Sequence, residues 1–230
     1  MSIHDGHRAR MKQRFIDHGE QAFNDDQLLE LLLFYSVPQG DVTPLAHQLM
    51  NHFGSLAGVL DATMEELQQV KGVGAHTALL LTMLPQLVRR YELSRSRNDA
   101  VITSSADAGE YLLPYFFGTR NETAYLLSLD GKGQVLNCDL LAEGSLDRVD
   151  LDYGQVIDTA QTRRATSVIL AHNHISGLAT PSQEDVHFTL VLRAMLRTRG
   201  IHLLDHLVIA DDDFISMAES GFFNDENANG

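Results

Sequence analysis

Two histidines and one aspartate stand at a spacing that suits a metal site. Residues 168–185 read VILAHNHISGLATPSQED, so His172 and His174 end an apolar run and Asp185 follows a short loop. Because side chains alternate across a strand, both histidines are expected on one face, with Asn173 on the other. Two imidazoles and one carboxylate, with a fourth position left for water, form the ligand set of a catalytic zinc site. The pattern therefore predicts one zinc ion per chain, held by His172, His174 and Asp185.

Local signals predict a strand, a turn and a helix for this stretch. The apolar run forms the strand, and Ser176-Gly177 the turn. Three residues predict where the helix begins: an N-cap threonine, a proline at the first helical position and a capping-box glutamine, at Thr180, Pro181 and Gln183. Ser182 and Asp185 are three positions apart and should share the helix face that is turned toward the histidines.

The complete pattern resembles the motif of the JAMM (JAB/MPN) metalloprotease superfamily. His-X-His, seven residues, Ser, two residues and Asp stand here without a gap, as His172, His174, Ser182 and Asp185. Three further stretches resemble the bacterial RadC-like (UPF0758) family, a likeness that runs over nearly the whole chain: 181–185 (PSQED), 203–209 (LLDHLVI) and 214–221 (FISMAESG). That family usually has proline after the second histidine, where this chain has Ile175. Isoleucine leaves φ free, so a looser loop is expected, with no ligand lost.

The resemblance implies a zinc-dependent hydrolase of amide or isopeptide bonds, with a protein or peptide substrate that the sequence does not identify. In JAMM proteins the catalytic glutamate immediately precedes the strand of the first hairpin, a register that Glu122 matches. Glu143, at the end of the second strand, is the alternative, and either residue could be a solvated glutamate at a strand end. Ser182 resembles the residue that hydrogen-bonds the tetrahedral oxyanion, although a hydroxyl at a helix start also serves as a cap. His187 and His206 lie off the spacing of the motif and are expected to be structural.

Residues 1–95 are predicted to form an all-helical domain. Thr63 to Glu66 is a capping box, and the following segment, 70–74 (VKGVG), resembles the helix-hairpin-helix motif. In that motif two glycines allow a tight turn whose amides approach a phosphate oxygen. Lys71, Gly72 and Gly74 are therefore candidates for weak, sequence-independent DNA contact. A plain helical hairpin and a protein-contact unit are the alternatives. A basic cluster, which either touches phosphate or is solvated, precedes them at Arg8, Arg10, Lys12 and Arg14.

Residues 101–223 are predicted to form an α/β domain with a mixed sheet. The predicted elements are a helix at 104–117, a hairpin of strands 122–130 and 134–142, a helix at 153–164, the histidine-bearing strand, a helix at 181–198, a strand at 201–209 and a final hairpin. The resemblance implies the cytidine-deaminase-like layout of a JAMM domain. The polar segment 94–100 is the predicted linker, and 224–230 is predicted to be a disordered tail.

Composition limits the classes of function. The 230 residues include one cysteine, Cys138, which excludes an internal disulfide and fits a reducing, cytoplasmic compartment. Apolar stretches long enough to span a membrane are absent from the sequence, and the N-terminus lacks the apolar core of a signal peptide. Membrane contact is not expected.

The net charge of -14 bears on nucleic-acid chemistry. Residues 1–100 hold 9 Lys and Arg against 12 Asp and Glu, whereas residues 101–230 hold 8 against 19. An acidic second half disfavours a nucleic-acid surface there, so a metal-dependent nuclease is the weakest hypothesis. The alternative to a hydrolase, from another class of function, is a DNA-associated repair or recombination accessory protein, as the RadC name implies. Its metal site would be structural or vestigial.

Overall fold

The computed structural model describes residues 3–95, 100–144, 151–175 and 177–223. Internal contacts divide the chain into two compact units, Met1–Val88 and Arg89–Gly230. The turn residue Ser176, most of the predicted linker and the predicted disordered tail lie outside the described residues. Among the helices that the structure describes, none has both the length and the apolar content needed to cross a membrane.

The first unit is helical, as predicted. Its helices are α1 (Ile3–His18), a 3-10 turn (Glu20–Ala22), α2 (Asp25–Ser36), α3 (Thr43–Phe53), α4 (Leu56–Asp61), α5 (Met64–Gln69) and the first part of α6 (Ala75–Arg95). The capping box predicted at Thr63 and Glu66 begins α5. A core of fully buried leucines holds these helices together, including Leu29, Leu33, Leu49, Leu67 and Leu81.

The second unit contains the predicted mixed sheet. Its helices are α7 (Ser105–Phe116), α8 (Tyr153–Thr162) and α9 (Gln183–Arg197), and its strands are β1 (Thr123–Leu129), β2 (Val135–Glu143), β3 (Ser167–Asn173), β4 (His202–Ala210) and β5 (Asp213–Ser216). The strand order is β2-β1-β3-β4-β5. β3 and β4 are parallel, and the other neighbouring pairs are antiparallel.

The two faces of the sheet are covered by different helices. On one face, Val168 and Leu170 of β3 share a core cluster with residues of α8 and α9. On the other, Ile169 and Ala171 share a cluster with residues of α7. All seven residues of β3 are buried, as expected for a strand covered on both faces. By the same alternation, the side chain of His172 projects toward α9 and that of Asn173 toward α7.

Helix α9 begins later than predicted. Its N-cap is Ser182 rather than Thr180, and its first residue is Gln183 rather than Pro181. The Ser182 hydroxyl accepts from the Asp185 amide, while the Asp185 carboxylate accepts from the Ser182 amide. This reciprocal pair is the capping box that forms, and it replaces the predicted box closed by Gln183.

Candidate metal centre

The three predicted ligands lie together at the end of β3 and the start of α9. His174 extends the strand, since its amide donates to the Ile209 carbonyl of β4 at 2.8 Å. The Nε2 atoms of His172 and His174 are 2.9 Å apart. Asp185 Oδ1 lies 3.2 Å from His172 Nε2, and Asp185 Oδ2 lies 3.4 Å from His174 Nε2. Among the described residues, this is the one group of three or more His, Cys, Asp or Glu side chains whose donor atoms converge in this way.

The spacing of these donor atoms fits a zinc ion. Ligands bound about 2.0–2.1 Å from a tetrahedral zinc lie about 3.3 Å from one another. The three observed separations of 2.9, 3.2 and 3.4 Å scatter around that value. The donor set of two imidazole nitrogens and one carboxylate is also one that zinc accepts. The residues present therefore suit the ion.

The electrostatics of the cluster keep Asp185 ionised. Burial alone would raise the pKa of Asp185, but hydrogen bonds with His172 and His174 outweigh it and hold the pKa well below its usual range. The hydrogen bond with Asp185 raises the pKa of His174, against the lowering effect of burial. The negative charge of Glu122 contributes to the same rise. Asp185 therefore presents a negatively charged carboxylate to the two imidazoles.

His206 is a member of the site that sequence reasoning left as structural. Its side chain is buried, and its Nε2 lies 2.8 Å from His172 Nδ1, the ring nitrogen that points away from the other two ligands. Burial lowers the pKa of His206 well below its usual value, and the neighbouring His172 ring adds to this effect, so the His206 ring is neutral near pH 7. His187, the other histidine expected to be structural, is exposed on α9.

A signal for His206 was present in the sequence. Asp205-His206 interrupts the apolar residues 203–209 of a strand, and a polar side chain buried in a central strand needs a hydrogen-bonding partner. Asp205 finds hydroxyl partners in Ser105 and Ser216, on the α7 side of the sheet. His206, which alternation places on the opposite side, finds its partner in His172.

The two candidate glutamates fall on opposite faces of the sheet. Ala124 of β1 pairs with His172, and directly paired residues share a face. Continuing this pairing by two residues places Glu122, which is half-buried, opposite His174. Glu143 pairs with Thr123, which alternation assigns to the α7 face, and its side chain is exposed.

Asn173 braces the segment that leads into β1. Its buried side chain accepts from the amide of Thr123 at 2.7 Å and from the Thr123 hydroxyl at 2.9 Å. Its amide nitrogen donates to Thr119 Oγ1 and to the Asn121 carbonyl at 3.4 and 3.3 Å. The residue between the two histidines therefore fixes the backbone on both sides of Glu122.

Ser182 contacts Asp185 rather than open space. The Ser182 hydroxyl donates to Asp185 Oδ2 at 2.6 Å, and the same oxygen accepts from the Ser182 amide at 2.8 Å. In this arrangement the serine orients the carboxylate of a predicted ligand. An oxyanion role requires the hydroxyl hydrogen to leave Asp185.

The predicted DNA-contact residues lie in the turn between α5 and α6. Gly72 has a φ of +101°, which side chains rarely adopt, so this turn requires glycine there. Gly74 has no positive φ and open space around its Cα, so its glycine is not required by the backbone. Lys71 is exposed.

Most cations of the predicted basic cluster are engaged within the helical unit. Arg8 donates to the carbonyls of Val37 and Gly40, beyond the end of α2, at 2.8 and 2.9 Å. Lys12 lies over the ring of Tyr35, and Arg14 over the ring of Phe23. These contacts give the cluster a packing role.

Comparison with known proteins agrees with the fold. The family model described as RadC-like JAB domain matches residues 102–222, and the model described as UPF0758 N-terminal matches residues 6–79. The domain that contains this sheet and the His and Asp cluster therefore belongs to the JAMM superfamily.

Relatives match along almost the full length. The chain is 35% identical to a UPF0758 protein of Geobacillus sp. (strain WCH70) over 214 residues, covering 93% of this chain and 95% of the relative. It is 35% identical to a UPF0758 protein of Ruegeria pomeroyi, covering 94% and 96% of the two chains. A UPF0758 protein of Burkholderia thailandensis is 32% identical, with 92% and 80% covered. The chain belongs to the RadC-like UPF0758 family, which confirms the predicted resemblance.

Proposed function

We propose that this protein is a zinc-dependent hydrolase of an amide or isopeptide bond, with one zinc per chain. The observation that carries the proposal is the convergence of His172 Nε2, His174 Nε2 and the Asp185 carboxylate at separations that suit zinc. Zinc held there would supply a Lewis acid, which makes a coordinated water molecule more acidic. The substrate class is a protein or peptide.

Glu122 is the proposed proton carrier. Its carboxylate accepts a proton from the attacking water and later delivers it to the leaving nitrogen, so that no net proton is consumed at the residue. Two observations support Glu122 over Glu143. Extending the β1–β3 pairing by two residues puts Glu122 opposite His174, and the charge of Glu122 contributes to the raised pKa of His174. The Asn173 brace holds its backbone in place during both transfers.

Ser182 is the proposed donor to the tetrahedral oxyanion. Its hydroxyl lies at the edge of the ligand cluster, bonded to Asp185 Oδ2. A developing oxyanion is a stronger acceptor than a carboxylate oxygen that already takes a second hydrogen bond, so the hydroxyl can turn toward it.

Metal analysis and a cleavage screen test the proposal together. Purified full-length protein should contain one zinc per chain, and His174→Ala and Asp185→Ala should each lose it because two ligands rarely hold zinc. His187→Ala, an exposed histidine on the same helix as Asp185, is the matched control and should keep the metal. A peptide-library screen should find cleavage that a chelator abolishes. Undiminished zinc in both ligand variants contradicts the site, and cleavage that survives chelation contradicts the mechanism.

A second role, weak DNA contact by the helical unit, is favoured by one observation. The left-handed Gly72 places an exposed Lys71 in a tight turn just before α6 begins. Amides at a helix start together with a cation suit a phosphate, without reading base sequence.

A further inference from the structure

A buried chain of hydrogen bonds links two of the candidate zinc ligands from behind. His172 Nδ1 lies 2.8 Å from His206 Nε2, and His206 Nδ1 lies 2.5 Å from Thr189 Oγ1. The Thr189 hydroxyl in turn lies 2.6 Å from the backbone carbonyl of Asp185, one turn earlier on α9. Thr189 is fully buried and His206 is 1% exposed, so water does not compete for these bonds.

The direction of every bond in this chain follows from its one fixed end. A backbone carbonyl only accepts, so at 2.6 Å the single hydroxyl hydrogen of Thr189 must point at the Asp185 oxygen. Thr189 Oγ1 therefore accepts from His206, which requires the hydrogen of that ring to be on Nδ1. His206 Nε2 is then a bare acceptor, and its partner, His172 Nδ1, must be the donor.

We infer that Thr189 and His206 are positioning residues that hold His172 in the tautomer protonated at Nδ1. Nε2 is thereby the ring nitrogen left to face His174 and Asp185, the side on which the proposed zinc would bind. The inference rests on the proposed zinc site for its purpose, although the hydrogen on Nδ1 follows from the hydrogen bonds of the chain alone. Partners of this kind fix ring orientation and tautomer at metal sites.

The reverse direction of these hydrogen bonds would prevent His172 Nε2 from binding a metal. If the Thr189 hydroxyl donated to His206 Nδ1, then His206 Nε2 would carry the hydrogen and His172 Nδ1 would have to accept it. His172 Nε2 would then be protonated, and a protonated ring nitrogen has no lone pair for a metal. The Thr189 contact with the Asp185 carbonyl is what excludes this arrangement.

Thr189→Val tests the inference in the full-length chain. Valine has nearly the shape of threonine but no hydroxyl, so His206 loses the acceptor that fixes its hydrogen on Nδ1. Thr189→Ser restores a hydroxyl and is the matched rescue. Long-range proton–nitrogen correlation spectra of histidine-labelled, metal-free protein at about pH 8 distinguish ring nitrogens that carry a hydrogen from those that do not. His172 can be assigned from the signals missing in His172→Asn.

The spectra have two decisive outcomes. Wild type and Thr189→Ser should have the hydrogen on His172 Nδ1, whereas Thr189→Val should lose this preference. Wild-type His172 bare at Nδ1, or a Thr189→Val spectrum identical to wild type, overturns the inference. A merely structural threonine would change stability without changing the tautomer.

Zinc affinity supplies a second readout. Competition with a chelating dye should give Thr189→Val about 10–100-fold weaker zinc binding than wild type, with Thr189→Ser close to wild type. If Thr189→Val does not fold, His206→Gln and His206→Leu replace it. The glutamine oxygen can accept from His172 Nδ1 and should retain most of the affinity, and leucine should not. Equal zinc affinities of Thr189→Val and Thr189→Ser, or of His206→Gln and His206→Leu, overturn the inference. Absence of zinc in wild type contradicts the proposed function, and the spectra then decide the position of the hydrogen on His172.

Discussion

Glu122→Gln separates the proposed proton carrier from the proposed metal ligands. Glutamine keeps the size and hydrogen-bonding reach of glutamate but cannot accept the proton of the attacking water. The change touches none of the three donor groups at the end of β3 and the start of α9, so zinc should stay at one per chain. The Asn173 brace acts on the backbone around residue 122 and is also unaffected.

The expected loss of turnover is large. General acid–base catalysis contributes about a hundred- to ten-thousandfold, which corresponds to about 3–5 kcal/mol in the activation barrier. A half-buried residue at a strand end, exchanged for one of equal volume, should change the free energy of unfolding by no more than about 0.5 kcal/mol. Loss of activity without loss of fold or metal is therefore the specific signature.

Initial rates on a peptide from the cleavage screen, with zinc content measured on the same samples, provide the assay. Glu143→Gln is the matched control because Glu143 is exposed and lies on the α7 face of the sheet. It should retain the wild-type rate. A metal-loaded but inactive Glu143→Gln, together with an active Glu122→Gln, would refute the pairing argument and place the base at the end of β2.

Three other predictions concern the surroundings of the site and the helical unit. Ser182→Ala removes the N-cap of α9 and should lower the free energy of unfolding by about 1 kcal/mol, measured by urea denaturation. It should also weaken zinc binding because Asp185 loses a hydrogen-bonding partner, and unchanged zinc affinity would leave Ser182 with a capping role alone. Asn173→Ala leaves the Thr123 amide without its partner and should cost about 1–3 kcal/mol of stability while zinc stays bound; loss of zinc instead would contradict its assignment to the α7 face. The full-length protein should bind duplex DNA weakly and with strong salt dependence. Gly72→Val should weaken that binding because valine disfavours the positive φ of this turn, whereas Gly74→Ala should not. Equal effects of the two variants, or no binding at low salt, would favour a protein-contact unit.

Local rules were sufficient for much of the fold and for the arrangement of the histidines. Strand alternation predicted His172 and His174 on one face, and a change from helical to strand periodicity predicted the mixed sheet. The capping box at Thr63 was predicted because both of its members lie within four residues. Each of these inferences depends on neighbours in the sequence, where spacing alone determines geometry.

Two features escaped prediction for different physical reasons. The start of α9 has two overlapping sets of capping residues, one from Thr180 and one from Ser182, and the second prevails because Ser182 and Asp185 cap each other reciprocally. His206 was not predicted because its partner lies 34 positions away on a neighbouring strand, and only the sheet register brings the two rings together. The pairing of β3 with β4 depends on tertiary packing, which no local pattern contains.

The alternation of β3 gives consecutive residues separate tasks at the site. His172 faces α9 and reaches Asp185, while Asn173 faces α7 and holds the segment around Glu122. A shift of β3 by one residue would exchange these faces, directing Asn173 at the ligand cluster and His172 at the α7 core. The register is fixed by buried apolar residues on both faces, Val168 and Leu170 toward α8 and α9, and Ile169 and Ala171 toward α7. The core that stabilises this unit is therefore also what places a candidate metal ligand and the support of the candidate base on opposite sides of one strand.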